Sequence, residues 1–268
     1  MRSNSKTVVI TGGAGGIGRE FSKLFVRDGY RVVVFGLLTE ELEALGEELR
    51  AINPAAEVLT HQIDLAQADA AEKVTAWCTN RSIVIDVLIN NVGFGLLGEH
   101  IDIDLTRLEQ MLMLNNLLPT KLTALIGRQM KARGSGRVLI VSSMVGFSPA
   151  PLFAAYSGTK AFLLAFSIAI ARELKPYGVT VSCLCPGTTR TRFLQTAQTS
   201  SASAKGITRF VSAYTVPPEV VAAAGYRGLF AGKLIVVPNT FLWVQTLLLR
   251  CLPMRLVSWF VYRRAVAA

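Results

Sequence analysis

Metal-ligating side chains are scarce in this chain of 268 residues, which holds only four cysteines and two histidines. They form no Cys-x-x-Cys pair and no zinc-like spacing; they are Cys78, Cys183, Cys185, Cys251, His61 and His100. The sequence therefore predicts no metal site and no disulfide framework. The short polar start, residues 1–6, has no signal-peptide pattern, so we expect a reduced, cytoplasmic protein.

Acidic residues are nearly absent from the last third of the chain. Residues 174–268 contain 11 basic residues and one acidic residue, Glu219, whereas the basic and acidic residues of 1–173 balance. The net charge of +10 therefore arises in this last third. It is either a solvated surface or one that faces an anion: phospholipid headgroups, a phosphate-bearing acyl carrier or a cofactor. Nucleic acid is not predicted, because no recognised binding motif accompanies the charge.

Long apolar runs are missing too, although 51% of the residues are hydrophobic. The uncharged run at residues 234–249 contains a proline and is shorter than the ~20 apolar residues of a bilayer span. Short β-rich runs instead alternate with longer helical patterns, which is typical of βαβ units. We expect strands at 6–11, 31–35, 57–62, 84–90, 137–142, 179–184 and 234–237. Helices are expected at 19–28, 40–50, 66–79, 105–131, 154–175 and from Pro217-Pro218-Glu219 onward.

This alternation predicts one α/β domain over residues 1–240, a doubly wound, Rossmann-type parallel sheet of about seven strands with helices on both faces. Residues 195–206 are small and polar, so a loop is expected there, as a lid over a ligand or an uninvolved surface segment. The tail, residues 241–268, mixes apolar side chains with arginines. Two amphipathic helices broken by Pro253 would fit it, covering a substrate pocket or oligomer interface, or lying on an anionic membrane surface.

A glycine-rich turn follows the first strand, at Thr11–Gly18. Gly12, Gly16 and Gly18 permit a tight turn and a close backbone approach to a pyrophosphate, which the N-terminus of the next helix attracts. The spacing is GxxxGxG rather than GxGxxG. Strand, turn and helix in this order predict dinucleotide binding.

Tyr156 and Lys160 stand four residues apart, one turn along the same helix face. A tyrosine hydroxyl titrates near pH ~10, and a nearby ammonium favours its ionised form. The pair is weak evidence by itself, because the pattern is frequent on solvated helices. Ser143, thirteen residues upstream, adds a hydroxyl that could serve the same site or simply end a strand.

Together these motifs resemble the short-chain dehydrogenase/reductase family over about residues 5–240. The resemblance includes TGGAGGIG for the family's TGxxxGxG turn, Asn90-Asn91-Val92-Gly93 for its NNAG, and Pro186-Gly187 for its PG turn. Asp64-Leu65 stands at the family's adenine-contacting position. Val92 in place of alanine is a mild departure.

The resemblance implies roles for individual residues. Tyr156 would be the general acid in carbonyl reduction or the base in alcohol oxidation, and Lys160 would hold the nicotinamide ribose. Ser143 would bind the substrate oxygen, and Asn115 would hold a proton-relay water; the adjacent Asn116 leaves that assignment ambiguous. The implied cofactor-binding set is Gly12, Gly16, Ile17, Gly18, Asp64, Asn90, Gly93, Tyr156, Lys160, Pro186, Gly187 and Thr191.

The end of the second strand departs from both cofactor patterns of the family. NAD-preferring members usually carry an acidic residue there, and NADP-preferring members an arginine nearby. This chain has Gly36-Leu37-Leu38 instead. Because no carboxylate repels a 2′-phosphate, the interpretation favours NADP(H) over NAD(H).

The substrate region is apolar. Phe193 is expected to contact substrate, and Phe210, Val211 and Tyr214 lie in the same substrate loop near 188–216. The subgroup resembled contains 17β-hydroxysteroid dehydrogenases, long-chain 3-ketoacyl reductases and bacterial oxidoreductases of unassigned substrate. A hydrophobic ketone or secondary alcohol, free or linked to coenzyme A or a carrier, is therefore predicted, in a homo-oligomer. Two alternatives remain: a small polar hydroxy acid or sugar as substrate, or a non-catalytic cofactor-binding regulator.

Overall fold

The computed structural model describes residues 5–193, 197, 215–239, 243–244 and 252–266. Seven strands form one parallel sheet in the order β3-β2-β1-β4-β5-β6-β7. They are β1 (Thr7–Thr11), β2 (Arg31–Gly36), β3 (Val58–Gln62), β4 (Val87–Asn90), β5 (Gly136–Val141), β6 (Val179–Leu184) and β7 (Ile235–Val236). The order reverses between β1 and β4, and a ligand crevice is expected there.

Helices cover both faces of the sheet. They are α1 (Gly16–Arg27), α2 (Thr39–Ile52), α3 (Ala70–Asn80), α4 (Leu105–Leu112), α5 (Leu118–Arg133), α6 (Ala154–Leu174), α7 (Pro218–Phe230) and α8 (Met254–Val266). Successive strand residues point to opposite faces, so each central strand contributes to two cores. Val9 of β1 joins the core under α3, α5 and α6, whereas Val8 and Ile10 join the core under α1, α2 and α7. The predicted doubly wound fold is thereby confirmed.

The predicted helix over 105–131 is one helical stretch with a defect. A π-helical turn, Met113–Leu117, separates α4 from α5, and Pro119 falls at the start of α5, where a missing N–H costs little. Asp104 caps α4 by accepting a hydrogen bond from the backbone N–H of Arg107 at 2.9 Å. The π turn holds Asn115 and so affects the site described below.

Some predicted boundaries were wrong. The strand expected at 84–90 begins only at Val87, and the last strand has two residues rather than four. The helix expected from residue 66 begins at Ala70, because Asp64 uses its carboxylate to hold the preceding turn. Apolar composition extended these predictions into neighbouring turns.

By length and composition, Ala154–Tyr177 is the one helix among the described residues that could cross a membrane. It contains α6, whose buried face packs against the sheet beside β6. Of the tail, α8 is helical as predicted, but most of residues 240–251, where a first tail helix was expected, lie outside the described residues. So do Phe210, Val211 and Tyr214 and, apart from Ala197, the loop at 195–206.

Candidate active site

The glycine turn closes over the end of β1 with a backbone that requires glycine. Gly12 and Gly16 have φ of +65° and +50°, in the left-handed region where a Cβ is unfavourable. Asn91 secures the turn, because its Nδ2 donates to the carbonyl oxygens of Thr11 and Gly12 at 3.1 Å. The turn ends at the N-terminus of α1, where free backbone N–H groups attract a phosphate. Ile17 follows on α1, half-buried against the core.

Tyr156 lies at the start of α6 and is 8% exposed. Burial raises the pKa of its hydroxyl above the usual range, and the neighbouring Ser143 hydroxyl acts in the opposite direction. The ammonium of Lys160 is 5.6 Å from the centre of the Tyr156 ring. From the sequence we expect Lys160 to favour the ionised form of Tyr156; in the structure the loss of solvation is the largest influence on this pKa and acts against ionisation.

Lys160 is buried one turn further along α6. Its Nζ donates to the carbonyl oxygen of Val141 at the end of β5, at 3.0 Å. Burial lowers the pKa of this ammonium to about 8, while the thiols of Cys183 on β6 and of Cys185 just after it act in the opposite direction. The two sulfurs are 3.7 Å apart, and sequence reasoning missed them because their strand spacing carries no metal or disulfide signal.

Asn115 is buried in the π turn and uses both ends of its amide. Its Oδ1 accepts from the backbone N–H of Phe94 at 3.1 Å, and its Nδ2 donates to the Phe94 carbonyl at 2.9 Å and to Thr159 Oγ1 at 3.2 Å. A Cβ added to Gly93 would be 2.8 Å from Asn115 Oδ1 and 3.6 Å from Lys160 Nζ. The structure therefore brings Asn115 and Lys160 together around Gly93. Asn116 instead donates to the Thr159 carbonyl at 3.0 Å.

Ser143 follows β5, opposite the Pro186-Gly187 turn that follows β6. Its Oγ accepts from the backbone N–H of Val145 at 3.3 Å and lies 3.5 Å from the Pro186 carbonyl oxygen. That carbonyl also accepts from the backbone N–H of Met144 at 2.9 Å. Parallel strands end at the same edge of the sheet, so the serine and the turn reach one crevice.

The remaining predicted cofactor residues border the same crevice. Asp64 holds its own turn, accepting from the Ala66 backbone N–H at 2.9 Å and from Gln67 Nε2 at 2.8 Å. Asn90 is buried and donates to Thr123 Oγ1 at 3.1 Å, and its Oδ1 has no hydrogen-bond partner among the described residues. The methyl of Thr191 lies against Gly16, 2.9 Å from where a Cβ would stand. Thr191 thus contacts the glycine turn.

At the end of β2, Leu37 and Leu38 are exposed, and Gln62 donates to the Leu37 carbonyl at 3.2 Å. A cation reaches this region from elsewhere in the chain. Arg192, just after Thr191, pairs with Glu41 in the first turn of α2 at 2.8 Å. Sequence reasoning missed Arg192 because 151 residues separate it from its partner.

The space above Tyr156 is lined by aromatic side chains. The Phe153 ring lies edge-on to Tyr156 with centroids 5.4 Å apart, and the ring of the predicted Phe193 is tilted against Tyr156 at 5.2 Å. Phe94, Leu96 and Val145 complete the lining. A pocket with apolar walls and one proton-donating hydroxyl suits an apolar carbonyl compound. Among the described residues no group of three or more His, Cys, Asp or Glu side chains could hold a metal ion.

Comparison with known proteins places these observations in a family. The model of the short chain dehydrogenase family matches residues 6–202. The very-long-chain 3-oxoacyl-CoA reductase of Ajellomyces capsulatus is 31% identical over 175 residues, which cover 65% of this chain and 52% of that protein. The chain thus spans about half the length of this relative.

Two further similarities extend over more of the chain. The 17-beta-hydroxysteroid dehydrogenase type 3 of Rattus norvegicus is 28% identical over 251 residues, covering 92% of this chain and 81% of that protein. A solved short-chain dehydrogenase from Sphingobium yanoikuyae in complex with NADPH superposes with a TM-score of 0.78 at 25% identity. That superposition covers 92% of this chain and 96% of the other.

Proposed function

Because the chain belongs to the short-chain dehydrogenase family, we propose that it is an oxidoreductase that transfers a hydride between a nicotinamide cofactor and a ketone or secondary alcohol. The observation that carries the proposal is the convergence of Ser143, Tyr156, Lys160 and Asn115 at the edge of the sheet next to the glycine turn. A protein that only bound the cofactor would have no need of the buried acid.

Each side chain has a distinct task in this proposal. The nicotinamide would supply the hydride in reduction and accept it in oxidation. Ser143 holds the substrate oxygen beside Tyr156, and the Tyr156 hydroxyl gives its proton to that oxygen in reduction. Lys160 binds the ribose and stabilises the phenolate, and Asn115, with Oδ1 near Lys160, holds the proton-relay water.

We propose an apolar substrate, a keto-lipid or 3-ketoacyl compound, free or linked to coenzyme A or an acyl carrier. Phe94, Phe153 and Phe193 around Tyr156 support this class over a small hydroxy acid or sugar, which would leave its hydroxyls without partners in such a pocket. The names of the two relatives, an oxoacyl-CoA reductase and a hydroxysteroid dehydrogenase, agree with it.

We propose NADP(H) as the preferred cofactor. No carboxylate follows β2 directly, and Arg192 supplies a cation at the start of α2, where it neutralises Glu41. An exposed arginine so placed could bind the 2′-phosphate through charge-assisted hydrogen bonds.

The test is a nicotinamide absorbance assay with a panel of ketones and alcohols, run with NADPH and NADH side by side. We expect turnover of apolar ketones, with a higher kcat/KM for NADPH. Arg192→Ala should reduce that cofactor preference about tenfold, which corresponds to a lost charged hydrogen bond. Absence of turnover throughout the panel would refute the oxidoreductase proposal, and a strong NADH preference would refute the cofactor proposal.

We propose, second, that this is a cytoplasmic protein that binds peripherally to an anionic membrane through α8. Leu256 and Trp259 are 59% and 57% exposed, and Phe260 and Tyr262 are exposed too. Arg263 stacks over the Trp259 ring at 4.9 Å, so a cation accompanies the exposed aromatic surface. Apolar side chains interleaved with arginines match the interfacial region of an anionic bilayer.

We also propose a homo-oligomer through the outer face of α6. Phe162 is exposed there and stacks on Phe166 with centroids 6.0 Å apart. Leu112, just before the π turn, and Leu117, at its end, are exposed as well. An apolar surface of this kind is typical of a subunit contact. Phe162→Asp should shift the molar mass measured by light scattering to that of the monomer; an unchanged mass would refute this contact.

A further inference from the structure

Gly95 is the point on which three aromatic rings of the active site converge. A Cβ built on Gly95 would meet Phe193 Cζ at 2.8 Å, Phe153 Cε1 at 3.2 Å and Tyr156 Cδ2 at 3.3 Å. The backbone conformation of Gly95 is open to any residue, so steric space, not φ, restricts this position to glycine. Gly95 is also buried, which leaves a side chain no route into solvent.

The closest of these contacts identifies which ring depends most on the glycine. Cβ atoms essentially never approach another heavy atom within 3.0 Å, so at 2.8 Å the Phe193 ring would have to move. Phe153 and Tyr156, at 3.2 and 3.3 Å, would have to give by only a few tenths of an ångström, and both stand at the start of α6. Phe193 enters the pocket from the segment after β6, with its backbone N–H donating to Thr191 Oγ1 at 3.3 Å. Phe193 is therefore the ring that a side chain at position 95 displaces.

We propose that Gly95 is a positioning residue for substrate selection, because its missing side chain lets Phe193 lie against Tyr156. The inference rests on the proposed role of Tyr156 as the acid. With Phe193 in place, the ring of the proton donor packs against two phenyl rings. A substrate reaches Tyr156 only if its own contacts replace those between the rings. An apolar group next to the carbonyl makes such contacts, whereas a hydroxylated group does not.

The same contact controls the solvation of Tyr156. Burial is the main cause of the raised pKa of this hydroxyl. Moving Phe193 outward admits water to the phenol, which favours the ionised form and lowers the pKa towards its ordinary value. Gly95 thus links the preference for apolar substrates to the pH at which Tyr156 titrates.

The test compares Gly95→Ala with the wild type on two ketones, 2-octanone as the apolar probe and dihydroxyacetone as the polar one. We expect the ratio of their kcat/KM values to fall about tenfold, since removing an apolar contact of methylene size changes selectivity at least that much. Phe193→Leu should lower the ratio in the same direction, and it carries the test if Gly95→Ala does not fold. The double variant should show no further decrease, because both changes act through one ring.

The matched control is Gly127→Ala on α5, where a Cβ meets only Leu174 Cδ1 at an ordinary 3.7 Å. It should leave the ratio unchanged. An unchanged ratio in Gly95→Ala, or an equal decrease in the control, would overturn the inference, as would fully additive effects of Gly95→Ala and Phe193→Leu.

A second readout does not require turnover. Ionisation of Tyr156, followed by tyrosinate absorbance as the difference between each protein and its Tyr156→Phe derivative, should occur at lower pH in Gly95→Ala than in the wild type. If no ketone is reduced by any variant, the proposed function fails, and this titration still decides the role of Gly95. An unshifted titration would then overturn it.

Discussion

The crevice and helix α8 differ in what their side chains leave exposed. In the crevice, Asn115 and Lys160 are buried and hydrogen-bonded to backbone, so the protein itself satisfies their polar groups. On α8, Leu256 and Trp259 are exposed, and little of the protein covers them. The burial of polar groups in the crevice is therefore explained by contacts within the chain. The exposed apolar side chains of α8 are explained only by a binding partner. The predictions below test this contrast, beginning with the largest effect.

Tyr156→Phe should lower kcat for ketone reduction about 10²–10⁴-fold, because the variant lacks the proton donor. The phenyl ring keeps the contacts with Phe153 and Phe193, so the Kd of the cofactor, measured by fluorescence titration, should change less than about twofold. Near-full activity would show that Tyr156 is not the acid. A large loss of cofactor affinity would show that the hydroxyl serves binding instead.

Replacing Leu256 and Trp259 together by serine should weaken binding to anionic liposomes at least about tenfold, because burial of a large apolar side chain contributes ~1.5–3 kcal/mol. Arg255→Gln should weaken it about fivefold and make it less sensitive to salt, since one basic residue near the surface contributes ~1 kcal/mol. Co-flotation with the vesicles measures both. Activity on a water-soluble ketone should stay unchanged.

The liposome measurement has an internal reference, because neutral vesicles should bind the wild type less than anionic ones. If the wild-type protein does not float with anionic vesicles, the membrane proposal for α8 is wrong. The groove of about 630 Å³ that α8 forms with Pro149 and Pro151 would then be a binding site for something other than a membrane.

Asn115→Ala should destabilise the protein by ~1–3 kcal/mol, because the backbone N–H of Phe94 loses a buried acceptor. Urea unfolding monitored by circular dichroism measures the change. Asn116→Ala is the matched comparison on the same turn, with a single hydrogen bond to the Thr159 carbonyl, and it should cost less and preserve more activity. The reverse order would assign the structural and catalytic role to Asn116.

Lys160 also makes the stability of the protein depend on pH. The folded pKa of Lys160 is lowered to about 8 from an unfolded value near 10.5, so between these limits the unfolded chain binds more protons than the folded one. The stability contributed by Lys160 therefore rises with pH across this window. The difference in urea midpoint between wild type and Lys160→Met, without cofactor, should rise from pH 8 to 10. A flat difference would contradict the burial of this ammonium.

Sequence reasoning found those parts of the molecule that local chemistry specifies. The glycine turn, the strands and the Tyr156–Lys160 spacing depend on backbone conformation and helix periodicity, and the predicted fold and family are confirmed. The assignment of roles to individual residues, and the domain boundary at 240, stay predictions. Asn115 was identified by resemblance, while the contact of its π turn with Thr159 on α6 lies between segments distant in sequence.

Contacts between distant segments could not be read from the sequence. Arg192 pairs with Glu41, and Gly95 lies next to Phe153 and Phe193, only because the carboxyl ends of several strands lie at one edge of the sheet. From the sequence, Lys160 is expected to favour the ionised form of Tyr156, but burial is the largest influence on the pKa of Tyr156, and burial is a property of the assembled pocket. Of the aromatic lining, the sequence predicted Phe193 but neither Phe94 nor Phe153, and it did not predict the geometry of the pocket.

Transfer of an isotopic label tests the central claim most directly. The protein would be incubated with 2-octanone and NADPH deuterated at the nicotinamide C4 position, each stereoisomer in turn, and the alcohol analysed by mass spectrometry. The account predicts one deuterium on the carbinol carbon from one stereoisomer only, and no labelled alcohol above background with Tyr156→Phe. An alcohol formed without label from both stereoisomers, or equal labelled product from Tyr156→Phe, would contradict it.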